Sequence, residues 1–293
     1  GRVADVLISF ASSKGRRAAL VGAPTSQEAL RIGGYLAAMG YDLDIAVTGR
    51  QLIRTAIASS DYELAVIDTS IGRPTVDLLI QQLRHDYRTS NLPVALMCRD
   101  GRLTEGERTA GHDRLVAAFP RAHNAETVES QIGQLLKLEG PQAIALDERK
   151  HQALQSLRWL AELSGSGQKI FNVQRAQAPA VAALFSSELG ADAIAVLANL
   201  GTPTAQTSLV DLASRAAQPI KIRTAAAEAF WKNTARHGTL LTTQQILDQY
   251  DRYNQNRHGD NATQQILASI LNCIEAPLKV RQETVAEDAA PDR

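Results

Sequence analysis

Few residues in this chain have the type and spacing to do chemistry. His85 and His112 each precede an aspartate, Asp86 and Asp113, while His151 stands apart. An imidazole can hold a metal or move a proton, but none of these lies at a His-x-x-x-His interval that sets two ligands on one helix face. They read as surface or capping residues, and no metal or cofactor is expected. Cys98 closes an apolar run and could serve as a redox thiol; burial as a small hydrophobe is the stronger reading. Gly33-Gly34 falls after a helix has begun, so it is read as a close-packing site and not a phosphate loop.

Further along, Gln249-Tyr250-Asp251-Arg252-Tyr253-Asn254 gathers two aromatics and an arginine near a helix end, with Arg257 and His258 following. Tyr and Arg are enriched where proteins bind proteins, so Tyr250, Arg252 and Tyr253 form a candidate partner surface, weighed against a packing role. Arg215, Lys221, Arg223, Lys232, Arg236 and His237 make that half locally basic. A solvated face is the simpler reading; contact with nucleic acid is not expected.

These residues sit on elements the chain must build. With 293 residues the chain has room for about two domains, and 44% hydrophobic content is enough for real cores. Lys plus Arg equals Asp plus Glu at 31 each, which gives no general pull toward nucleic acid or membrane. No apolar run approaches the roughly 18–20 residues of a membrane span. The two cysteines fall in different halves, so no disulfide framework is expected and a cytoplasmic, reducing setting is. The chain opens on Gly1, not Met, as an excised fragment would; residues 1–14 read as a leader or the end of a preceding helical unit.

Residues 15–140 alternate β-branched runs with amphipathic stretches. Strands are expected at Ala18–Val21, Asp44–Val47, Leu64–Ile67, Pro93–Met97 and Leu115–Ala118. Helices are expected after Ser26 as cap, at Arg50–Ser59, at Thr75–His85 and from about Ala125 to Leu138, with Gly40 ending the first. Continuous apolar strands separated by helices predict a doubly wound, five-stranded parallel sheet of the flavodoxin type.

The run Asp61-Tyr62-Glu63-Leu64-Ala65-Val66-Ile67-Asp68 resembles the third strand of response-regulator receiver domains, which ends on the phosphoacceptor. Leu83 to Val94 resembles the linker into their fourth strand. By that resemblance Asp68 is the acceptor position, its phosphorylation aided by a divalent cation on an acidic pair and by a lysine. The pair should fall at Gly22-Ala23, which cannot ligate a metal. The lysine position before Pro120 holds Phe119, and the switch hydroxyl is replaced by Cys98. An aspartate without these groups leaves transition-state charge unscreened, so Asp68 reads as a vestigial, solvated strand-end carboxylate or helix cap in a pseudo-receiver.

Beyond Gly140-Pro141 the strand pattern stops, and residues 141–276 read as successive helices with short loops. Ala193–Pro203, Ala205–Ala213 and Pro219–Phe230 form a weak internal period resembling HEAT-like repeats of the PBS-lyase type. The alanines suit close stacking of helices in a solenoid. Residues 277–293 lose periodicity and read as a flexible tail. Together the halves resemble HEAT-repeat proteins with an embedded receiver-like domain associated with planctomycete bacteria. The resemblance implies a non-enzymatic scaffold that binds a protein partner in signalling, with a homodimer among the allowed assemblies. The competing expectation is an atypical response regulator phosphorylated on Asp68 with the repeats as output. An enzyme of the bilin-lyase kind lacks candidate catalytic residues.

Overall fold

A computed structural model describes residues 2–138, 144–167, 172–257 and 259–276. The break expected at Gly140-Pro141, the expected tail at 277–293 and His258 lie outside the described residues. The chain divides into two compact units, one of Ser12–His151 and one of Gly1–Ala11 with Gln152–Arg293. Of the residues set apart as a leader, helix α1 (Arg2–Ala11) counts with the helical unit, while residues 12–14 count with the first.

In the first unit the elements run β1 (Ala18–Gly22), α2 (Ser26–Ala38), β2 (Asp42–Ala46), α3 (Gly49–Ala56), β3 (Tyr62–Asp68), α4 (Val76–His85), β4 (Val94–Cys98), α5 (Leu103–Ala110), β5 (Val116–Pro120) and α6 (Ala125–Leu135). The five strands pair in parallel in the order β2-β1-β3-β4-β5, the doubly wound arrangement of the flavodoxin and receiver class. Strand alternation sorts the apolar runs onto two faces. Ala19, Val21, Leu64, Val66, Ala95 and Met97 join the core under α2 and α6. Leu20, Ala65, Ile67, Val94, Leu96 and Cys98 join the core on the opposite face.

Two local expectations shift. Thr25 and not Ser26 caps α2, because its extended backbone brings Oγ1 to the Glu28 amide, which donates at 3.2 Å. Helix α5 has no counterpart in the sequence reading, since Leu103-Thr-Glu-Gly-Glu-Arg-Thr-Ala110 carries no apolar period for a helix to show. The packing reading of Gly33-Gly34 holds for Gly33, where a Cβ would meet Leu43 Cδ1 at 2.9 Å, and not for Gly34, where a Cβ would have nothing within 4 Å.

The segments at either end of this unit meet at the start of β3. Asp61 accepts from the Ser13 hydroxyl and from the Lys14 amide at 2.7 Å. Arg149, only 4% exposed, donates to Arg16 O at 2.7 Å and Asp61 O at 2.8 Å, and pairs with Glu63 at 2.8 Å. Asp68 lies at the other end of the same strand.

The second unit is helical: α1, the later part of α7 (Leu146–Gly165), a 3-10 turn at Val173–Ala176, α8 (Gln177–Ala183), α9 (Gly190–Asn199), α10 (Pro203–Ser214), α11 (Ile220–His237), α12 (Thr243–Gln255) and α13 (Asn261–Glu275). Asp147 lies inside the first turn of α7, where its charge favours the helix dipole. Helix α11 packs against α9, α10 and α13, and its buried face is mostly small: Ala226, Ala227, Ala229 and Ala235 around Phe230. A buried amide network closes the turn from α11 toward α12. Asn233 Nδ2 donates to Leu197 O and Leu200 O at 2.8 Å each, and Gln206 Nε2 donates to Gly238 O at 2.7 Å. Both cysteines are free and buried, Cys98 in the first unit and Cys273 in α13.

Candidate functional site

Asp68 ends β3 in register with Met97, and Met97 is in register with Phe119 on β5. The β4–β5 ladder continues one bond further, the Arg121 amide donating to Cys98 O at 2.9 Å. This carries Arg121 past the strand ends, where its guanidinium closes on Asp68. Arg121 Nη2 donates to Asp68 Oδ2, and Nη1 lies 3.3 Å from Glu28 Oε1 on the first turn of α2. The other carboxylate oxygen of Asp68 accepts from the Ser70 amide at 2.9 Å.

The solvated carboxylate expected from the sequence is therefore corrected. Asp68 is fully buried, and both oxygens are engaged by donors of the protein itself. A buried carboxylate must find a countercharge, and here an arginine two positions after Phe119 provides it. Sequence reasoning passed over Arg121 because it looked only at the position before Pro120. The usable signal was an arginine directly after the strand-ending Pro120.

The remaining receiver positions are filled with apolar matter. Gly22 leaves room that neighbours occupy: a Cβ on it would come within 2.4 Å of Leu52 Cδ1 and 3.1 Å of Ile71 Cδ1. Ala23 is buried, and its amide donates to Ala46 O at 3.1 Å. Phe119, 8% exposed, belongs to the core under α2 and α6 and not to the site. Cys98 packs against Gly106 of α5, and burial chiefly, with Asp68 nearby, pushes its thiol above the ordinary range. Among the described residues, no group of three His, Cys, Asp or Glu is placed to hold a metal ion.

The structure does not bring the other candidates to this site. His85, His112 and His151 are exposed. In the helical unit, Tyr250 Oη donates to Glu275 Oε1 at 2.5 Å, Arg252 Nη1 pairs with Asp211 at 3.1 Å, and Tyr253 packs against the core. These three are thus engaged within their own unit. Arg223, read with the basic face, is instead 2% exposed and donates to Ala213 O and Thr263 Oγ1. Arg215 stacks over the Phe185 ring at 4.7 Å.

No family model matches the chain, and no curated protein does. Among solved structures the chain is similar to the chemotaxis response regulator CheY4 of Vibrio cholerae, at 14% identity and a TM-score of 0.38. That match covers 41% of this chain and 99% of that one. The class of the first unit rests on its own strand order, a five-stranded parallel sheet of the flavodoxin and receiver kind followed by a helical region. Among the described residues, no helix is long and apolar enough to cross a membrane.

Proposed function

We propose that this protein is a non-enzymatic scaffold whose receiver-like unit is a recognition module held in one state by Arg121. Its helical unit, similar in pattern to HEAT-like repeats, supplies surface for a protein partner in a signalling setting within the cytoplasm. One observation carries the reading: Asp68 is buried with Arg121 on one oxygen and the Ser70 amide on the other. Attack on a phosphoryl donor needs an accessible carboxylate oxygen and a cation to screen the developing charge. Here the guanidinium already neutralises Asp68, and Leu52 and Ile71 crowd the end of β1 where an acidic pair would hold the cation.

The same arginine also favours a second reading. A positive group on the acceptor carboxylate could screen a phosphoryl oxygen in the role of the missing lysine, which would make the chain an atypical response regulator. Incubation with a small phosphodonor and Mg²⁺, followed by intact-mass measurement, separates the two. The scaffold reading expects no adduct. A gain of one phosphoryl mass that disappears in Asp68→Asn would sink it in favour of the regulator.

A further inference from the structure

A cleft of about 1060 Å³ lies between α4 and α5 of the first unit. Its origin is in the sequence of α5, where Gly106 lets the helix approach β4 so closely that a Cβ would fall within 2.2 Å of Cys98 Sγ. The facing positions of α5 offer no large apolar side chain to fill the space toward α4. What spans the gap is polar: Thr109 Oγ1 donates to Asp77 at 2.7 Å, and Arg84 Nε pairs with Asp113 at 2.5 Å. Ile71, Val76, Ile80 and Leu96 supply the apolar part of the lining.

The lining carries four arginines, Arg84, Arg99, Arg102 and Arg108, against the three carboxylates Asp77, Glu105 and Asp113. Arg84 is answered by Asp113 and Arg102 by Glu105. Arg99 and Arg108 also line the cleft, and among the described residues neither guanidinium has an ion pair or hydrogen bond. Arg84 is turned inward, its Nη1 donating to Leu92 O at 2.9 Å, which leaves Arg99 and Arg108 as the donors open to the cleft. Guanidinium groups lining one cleft suit phosphate, because their planar forks match its oxygens. Apolar lining beside such groups is the usual composition of a small-molecule site.

We propose that this cleft binds a phosphorylated small molecule carrying a planar or apolar ring. Arg99 and Arg108 hold the phosphate, and the ring rests on Ile71, Val76, Ile80 and Leu96. This inference stands apart from the scaffold reading, since it requires nothing of Asp68.

Calorimetric titration of the full chain at physiological ionic strength tests it, with ATP, GTP and inorganic pyrophosphate as probes. Saturable binding of either nucleotide is expected, weakened at least about tenfold in the double variant Arg99→Glu/Arg108→Glu. Both arginines are exposed, so the unfolding midpoint of that variant should match the parent. Three results would overturn the proposal. One is the absence of nucleotide binding up to about 1 mM. Another is binding that persists in the double variant. The last is pyrophosphate binding as tightly as the nucleotides, which leaves the ring without a role.

Discussion

Arg121 ties together three elements through one guanidinium: it donates to Asp68 at the end of β3, lies 3.3 Å from Glu28 on α2, and is itself anchored beyond β5 by its amide. The pairing makes a strand-end carboxylate half of a structural ion pair. Its consequences are measurable.

Arg121→Ala leaves the Asp68 carboxylate buried without its countercharge. A loss of about 2–4 kcal/mol in urea unfolding is expected, below the full range for buried pairs because Arg121 keeps some exposure. Asp68→Asn alone also destabilises, and the double variant Asp68→Asn/Arg121→Ala should lose less than the sum of the two. Additive losses would mean that the pair is not coupled.

Gly106→Ala forces a methyl into Cys98 Sγ, since the ideal Cβ position lies 2.2 Å away. Overpacking of this kind costs about 1–3 kcal/mol. Adding Cys98→Ala removes the obstructing sulfur, so the double variant should unfold at higher denaturant than Gly106→Ala alone. No rescue would place the strain elsewhere.

The Cys98 thiol, buried and pushed above its ordinary range, should resist alkylation in the native protein and react once the protein is denatured. The sign of the pH effect follows. A raised folded pKa gives stability that is full below the unfolded value, about 8.5, and is lost as pH rises through the folded value. Unfolding midpoints measured from pH 7 to 10 should therefore fall less steeply for Cys98→Ala than for the parent.

Arg149→Ala removes the donors to Arg16 O and Asp61 O and leaves the buried Glu63 with Arg17, at 3.3 Å, in place of its partner at 2.8 Å. Hydrogen exchange of the β3 amides should accelerate, with a stability loss of about 2–4 kcal/mol. Arg149→Lys should recover little, because a point charge cannot serve several divergent acceptors.

Much of this architecture is written locally. The apolar runs at Leu64–Ile67 and Pro93–Met97 announce buried parallel strands, and Gly40 with φ +85° stops α2 where a C′ glycine should. That Gly22, Ala23, Phe119 and Cys98 carry no carboxylate or amine is a matter of residue type, which sequence reports directly. Helix α5 escapes because it packs through Leu103, Gly106 and Ala110, too few apolar positions to leave a periodic trace. The state of Asp68 escapes for a related reason. Its partner Arg121 is far away in sequence, and only the parallel pairing of β3, β4 and β5 brings a residue beyond one strand's end to the carboxylate at another's. Residue type thus determined which groups stand at the strand ends; their burial and pairing came only from tertiary contacts, since the energy of a charge depends on its surroundings and not on its neighbours in the chain.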